Sequence, residues 1–332
     1  MKRGRHAIIA FVAVLLSVSA GHSAVIRASA APTCQIEIVG EIESGDTETL
    51  ALVLQEASTN GVLTLCLNSP GGEYFEALKM IKLILDRDSS IGTLLPDGAQ
   101  CYSACALLFL AGHYERKNGV EPLRRLSVSA KLGFHSPYIN PGATVSDPAL
   151  LARAHQAGIQ AIGELLSLSR DNLYPESLLI EVLSKGPTEF FNIDTIDKAG
   201  KWSIDLVGFK RPQKLDSRMV FQACANAMDW TAPGFSQSND EMASPLQFRN
   251  GLARVQFGGF GDEALWTCVA DVYDGGPNGQ YLQVQWDGGG DELADGEVLR
   301  MEAKRSAGKV TRAGTPLWHV FPANTEINKL PQ

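Results

Sequence analysis

The sequence predicts an α/β protein of stacked βαβ units, followed by a small β-rich C-terminal part. Two observations lead there. Between residues 35 and 111, short apolar runs bounded by Gly, Pro and Asn alternate with segments of helical period. Beyond the polar, Pro-containing stretch 209–215, the pattern changes to strand-like runs separated by Gly/Pro/Asn/Asp turns.

Residues 35–42 alternate apolar and polar like a strand, and Ser44-Gly45-Asp46 breaks it. Leu50, Val53, Leu54 and Ala57 recur at helical spacing, with Asp46 or Thr47 as the cap. Residues 62–67 form an apolar run suited to a strand buried on both faces, and Asn68-Ser69-Pro70-Gly71-Gly72 turns the chain into a helix over 73–85. Residues 91–95 are a further strand, and after Pro96-Asp97-Gly98 an apolar helix runs from Ser103 to about Ala111. A short strand over 132–135, a helix over 149–168 and a last helix over 193–199, ended by Gly200 as a left-handed cap, complete this part. Residues 264–273 and 281–286 are strands of the C-terminal part, and the Asp/Gly-rich loops 271–279 and 287–295 are hairpin turns that lack the EF-hand order of calcium ligands.

The chain has 332 residues, 29 Lys+Arg against 37 Asp+Glu and a net charge of −8, which argues against a nucleic-acid partner. Lys2, Arg3 and Arg5 precede an apolar run over 7–16, and Ala28-Ser29-Ala30 is a small-residue cleavage site; Val18-Ser19-Ala20 and His22-Ser23-Ala24 also fit. The run is short of the roughly 18–20 residues that span a bilayer, so a secretory signal is favoured over membrane anchoring. The expected divisions are therefore a signal peptide at 1–30, an α/β domain at 31–211 and a β-rich domain at 212–332. The exported chain is periplasmic or extracellular, and cleavage after Ala30 leaves it with 25 basic and 37 acidic residues. An oxidising compartment favours paired cysteines, with Cys224 and Cys268 the obvious pair by position.

Three pieces of the α/β part fit an acyl-transfer site. Gly71-Gly72 presents unshielded backbone N–H groups at a strand-to-helix turn, able to donate to an oxyanion. Ser103 stands at a helix start as a candidate nucleophile, with the Ala104 N–H as a second donor. His135, in Gly133-Phe134-His135-Ser136-Pro137, ends a strand where an imidazole can reach a serine. Each has a plainer reading: the glycines as a turn, Ser103 as an N-cap, His135 as a surface or core residue.

Together, residues 67–72, 98–112 and 133–137 resemble the proteolytic subunit of Clp protease, over about residues 36–206. The resemblance implies the Clp/crotonase fold, shared with signal peptide peptidases of the protease IV type, and a tendency to form homo-oligomers. It implies Ser103 as nucleophile, His135 as general base, and Gly72 and Ala104 as the oxyanion hole. The family also places an aspartate two residues before a Phe that precedes the final helix. With the helix end on Gly200, that Phe is Phe190 and the carboxylate position is Thr188, which cannot stabilise an imidazolium; Glu189 and Asp171 are the nearby substitutes. The segment 116–125 is a charged insertion with the character of a surface loop.

Cys101 and Cys105 flank Ser103. They are buried small residues, or disulfide-bonded to each other or to Cys34 or Cys66, or redox-active; structural roles outrank redox because the spacing is not Cys-x-x-Cys. No metal site is expected, since no second cysteine pair occurs at ligand spacing. Trp318 and His319, with Trp230, Trp266 and Trp286, are packing residues or line a ligand surface. The leading expectation is an exported serine hydrolase, a peptidase acting on peptides or proteins without a cofactor. The alternative is a scaffold or binding protein that kept the fold and lost the triad. An acyl-CoA enzyme of the crotonase kind ranks third, because CoA is scarce outside the cytoplasm.

Overall fold

A computed structural model describes residues 23–57, 61–116, 119–137, 148–168, 173–186, 188–231, 245–260, 266–275, 279–288, 304–306, 309–311 and 315–332. Strands β1 (Val25–Ala28) and β2 (Ile36–Val39) pair antiparallel. Helix α1 (Asp46–Glu56) leads to β3 (Leu63–Asn68), and α2 (Tyr74–Leu85) to β4 (Ile91–Leu95). Both crossovers join parallel neighbours, β2 to β3 and β3 to β4. The alternation read from the sequence is thus a pair of βαβ units. Residues 63–67 of β3 and all five residues of β4 are buried, as strands covered on both faces require.

Next come β5 (Gln100–Tyr102), α3 (Ala104–Leu110), β6 (His113–Arg116), β7 (Gly119–Pro122), β8 (Arg124–Ser127) and β9 (Lys131–Phe134). After them the chain forms α4 (Pro148–Ser167), α5 (Glu176–Leu183), β10 (Phe191–Asn192), α6 (Ile196–Lys201) and β11 (Asp205–Val207). The main sheet runs β1-β2-β3-β4-β6-β7, with β8 also on β4 and β11 beyond β8. A second, three-stranded sheet runs β10-β9-β5, and it carries the residues of interest.

The charged segment 116–125 is not a surface loop: β6 and β7 form a hairpin and β8 enters the sheet beside β4. Arg124 is 1% exposed there and donates from Nη2 to the Leu173 carbonyl at 2.8 Å. Charge in the sequence hid a core position. The cap of α1 also differs from expectation. Gly45 is the N-cap, and Glu76 of α2 accepts from the Gly45 and Thr47 N–H groups at 3.2 and 2.8 Å. Burial raises the Glu76 carboxyl pKa, but these donors and Lys79 outweigh it and hold it down to about 2.

Helix α7 (Ser217–Thr231) opens the C-terminal part, a helix that the strand-like pattern of this region did not announce. It packs on the antiparallel sheet β12 (Leu252–Phe260), β13 (Trp266–Asp274) and β14 (Gln280–Gly288), burying Val220, Cys224, Phe257, Val272 and Val284. A hairpin, β15 (Lys304–Ser306) with β16 (Lys309–Thr311), comes next. The last residues then return to the first unit: Ile196 and Asp197 donate to the Thr325 and Ala323 carbonyls, and Ile327 to that of Asp194. Trp318, Ile327 and Leu330 belong to the first core and Val320 to the second. The C-terminal segment therefore clamps the two parts together.

Cys34 is bonded to Cys66, Cys101 to Cys105, and Cys224 to Cys268 as expected. Three disulfides are compatible with an exported chain. Among the described residues, no helix is long and apolar enough to cross a membrane.

Strand β1 lies within the expected signal, so cleavage after Ala30 would remove a sheet strand and the buried Ile26. Intact-mass analysis of the protein expressed from the full sequence is expected to show a start at Val25 or upstream of it, and a chain beginning at Ala31 to lose about 2–3 kcal/mol of stability in urea.

His319 supplies a pH test. Its ring is buried with Nδ1 unpartnered, 4.2 Å from the Trp318 ring and 4.7 Å from that of Trp230, and burial pushes its pKa down to about 3. The unfolded chain then binds the extra proton first, so stability falls as pH drops below about 6.5. The urea midpoint is expected to fall between about pH 7 and pH 5 in the wild type and to fall less in His319→Phe.

Candidate active site

The site begins with two glycines, Gly71 and Gly72, that leave no room for a side chain. After β3, residues 69–73 run between two other segments. On one side Ile42 N donates to the Gly71 carbonyl and Glu73 N to the Ile42 carbonyl, both at 2.8 Å. On the other, Ser69 N donates to the Gln100 carbonyl at 2.7 Å and Tyr102 N to the Ser69 carbonyl at 3.2 Å. A Cβ on Gly72 would lie 2.1 Å from the Ile42 carbonyl oxygen, and one on Gly71 2.8 Å from Ser103 Cβ. Both glycines have positive φ, 107° and 142°, which disfavours any other residue. The bridge to Ile42 uses the Gly71 carbonyl and the Glu73 N–H, so the Gly72 N–H points to the opposite side of the ribbon, toward β5 and the turn at its carboxyl end.

Ser103 occupies that turn. It is the N-cap of α3 at φ 56°, ψ −123°, a conformation that costs a non-glycine residue about 1–3 kcal/mol. Its side chain makes no capping bond. Ser103 thus holds the N-cap position of the plainer reading, but its hydroxyl caps nothing. Three bonds hold the turn: Ser103 N donates to the Gly133 carbonyl at 3.0 Å, and its own carbonyl accepts from Ala106 and Leu107. The Cys101–Cys105 disulfide closes around it, with both cysteines fully buried. Of the three readings open in the sequence, a structural disulfide is the one observed. Ala104 N–H, at the first turn of α3, lies outside the intrahelical ladder.

His135 arrives from the neighbouring strand. β5 and β9 pair parallel, Tyr102 opposite Gly133, so Ser103 and His135 leave adjacent strands at the same carboxyl end. The His135 ring meets Phe190 edge-on at 5.1 Å, and Phe190 in turn meets the ring of Tyr102 at 5.1 Å. His135 Nδ1 is 2.8 Å from the Ser136 carbonyl oxygen. A carbonyl only accepts, so Nδ1 carries the proton in this pair and the basic lone pair is on Nε2.

The candidates for a third member lie elsewhere or outside the described residues. Glu189 is on an exposed turn, paired with Lys185 at 3.3 Å. Thr188 is exposed, and Asp171 lies outside the described residues. The expected helix end also moves: α6 is capped at Trp202, with Ser203 at φ 54°, not at Gly200. Counting back the same twelve residues from Ser203 falls on Phe191, which is not an acid either. Two further participants carry no signal in the local sequence. Phe190 is 41% exposed against the His135 ring. Asn192 Oδ1 is 2.6 Å from where a Gly133 Cβ would stand, so Gly133 leaves room for it beside Tyr102. Only the pairing of β10 with β9 brings them here.

No protein-family model matches the chain, and a search of curated proteins finds no similar sequence. Among the described residues there is no group of three or more His, Cys, Asp or Glu arranged to hold a metal ion.

The glycine ribbon gives a steric test. Gly72→Ala is expected to cost about 2–4 kcal/mol in urea unfolding, because the Ile42 backbone must move. Gly158→Ala on α4, with nothing within 4 Å of the added Cβ, is expected to be neutral or stabilising by up to about 1 kcal/mol.

Proposed function

We propose that this protein is an exported serine hydrolase of Clp/crotonase type, acting on peptide or protein substrates, with Ser103 as nucleophile and His135 as general base. The supporting observation is the backbone of Ser103: a strained serine whose hydroxyl caps nothing, at the carboxyl end of a strand, beside a glycine ribbon with an outward N–H. A sharp strand-to-helix turn of this kind exposes a nucleophilic oxygen in hydrolases of other folds. Here the ribbon and α3 supply two backbone donors, from Gly72 and Ala104.

In the reaction so read, Ser103 Oγ attacks the substrate carbonyl carbon while its proton passes to His135 Nε2. The carbonyl oxygen takes the negative charge, and the Gly72 and Ala104 N–H groups stabilise it. Collapse breaks the C–N bond, and His135 returns the proton to the leaving amine. Water then attacks the acyl carbon as the same imidazole takes its proton, and the imidazolium returns that proton to Ser103 Oγ as the ester C–O bond breaks. The Ser136 carbonyl orients the ring through Nδ1, the task a carboxylate performs in other triads. A neutral dipole stabilises the imidazolium less than a carboxylate does, so turnover is slow by the standard of a full triad. In that template a misassigned third member costs about 10⁴. The resemblance further suggests self-association, and the signal-like head suggests periplasmic or extracellular residence.

The second reading, a binding protein on the same scaffold, draws on Thr188, Phe191 and the exposed Glu189. A fluorophosphonate probe separates the two. The full exported chain is expected to be labelled at Ser103, labelling to vanish in Ser103→Ala, and its rate to fall by about 10³-fold or more in His135→Ala. Absence of labelling, under conditions that label a control hydrolase, sinks the catalytic reading.

A further inference from the structure

A cavity of about 430 Å³ opens at the far edge of the main sheet, between β11 and the C-terminal part. None of Gly72, Ser103 and His135 lines it. Its volume is within the range of small-molecule sites, and it lies between two structural units, where such sites concentrate. The lining is mixed. Phe209, Tyr281, Leu317 and Trp318 supply apolar surface, and Asp205 and Arg211 supply one charge of each sign.

The two charges are what give the cavity its chemistry. Asp205 Oδ1 accepts from Trp318 Nε1 at 2.7 Å, which fixes the carboxylate against the indole. Among the described residues, neither Asp205 nor Arg211 forms an ion pair. Asp205 is reachable by solvent yet crowded by protein, and that desolvation raises its carboxyl pKa in spite of the Trp318 bond and the more distant Arg125 and Arg211. The Asp205 carboxylate, exposed to solvent and fixed by the indole N–H, has Arg125 and Arg211 nearby but neither in ion-pair contact, so it can still accept from a ligand ammonium. A guanidinium on the same wall favours a carboxylate by a fork of parallel hydrogen bonds.

We infer that this cavity binds a zwitterionic short peptide, its ammonium on Asp205, its carboxylate on Arg211 and its apolar side chains against Trp318 and Tyr281. A simple cation would meet Arg211, and a simple anion would meet Asp205. Only a ligand bearing both charges satisfies the pair at once. The cavity also touches the segments that join the two parts of the chain, 205–211 and 315–318, so occupancy stabilises their packing. The site does not depend on whether Ser103 is catalytic.

The test is calorimetric titration of the full exported chain with Ala-Leu, N-acetyl-Ala-Leu, Ala-Leu amide and free leucine. Ala-Leu is expected to bind saturably with a Kd of about 1 mM or tighter, and either blocked peptide at least about tenfold more weakly. Binding of free leucine as tight as that of Ala-Leu would shift the ligand from peptide to amino acid and overturn the peptide assignment. Asp205→Asn keeps an acceptor for Trp318 and is expected to weaken Ala-Leu at least about tenfold while leaving N-acetyl-Ala-Leu unchanged. Should that variant unfold, exposed Arg211→Gln carries the test, with the same loss for Ala-Leu and none for Ala-Leu amide. Absence of saturable Ala-Leu binding up to about 10 mM, or equal binding of free and blocked peptides, overturns the proposal.

Discussion

The close approach of three backbones at Gly71-Gly72 is the constraint on which the rest of the molecule turns. Ile42 stands on one side of the ribbon and Tyr102-Ser103 on the other, with no room for a Cβ between. This contact carries β2 and β3 past the end of the main sheet through the Ile42–Gly72 bridge and ties β3 to β5 of the second sheet through Ser69–Cys101. It also brings the Ser103 Cβ within 2.8 Å of where a Gly71 Cβ would stand. A side chain at either glycine would pry the ladder open, so local conformation and packing density ask for the same residue.

The second sheet converts that constraint into a site. β5 and β9 run parallel, so Ser103 and His135 leave adjacent strands at the same carboxyl end. Ligand sites in α/β proteins recur at such ends, because the loops there are free to diverge while the strands hold them in register. The Cys101–Cys105 bridge braces the serine turn, and β10 brings Phe190 onto the imidazole. Neither Thr188 nor Phe191 is an acid, and the Ser136 carbonyl accepts from His135 Nδ1 and so orients the ring. A strained serine whose hydroxyl makes no capping bond is costly to keep, and the proposed acyl-transfer role would account for that cost.

The C-terminal part has a different logic. Its own core is small, α7 on three strands, and the closing segment 315–332 ties it to the first core through Trp318, Ile327 and Leu330. The cavity at this seam exists because the two units meet edge to edge and leave Asp205 and Arg211 on a shared wall.

Periodicity alone determined the early βαβ units, since apolar runs such as 63–67 and 91–95 leave no other way to bury both faces. Motif grammar also singled out Ser103, His135, Gly72 and Ala104, and position suggested the Cys224–Cys268 bond. The tertiary structure decided what local signals could not carry. Arg124 looked like a loop residue and is buried in β8; β1 looked like part of a signal and is a sheet strand; Gly200 looked like a helix end and Ser203 holds that conformation. Phe190, Asn192 and Asp205 gained their roles from neighbours far away in the chain. The physical reason is common to all of them: a residue's burial, partner and pKa are properties of the contacts around it, and those contacts are made by segments that the local pattern does not name.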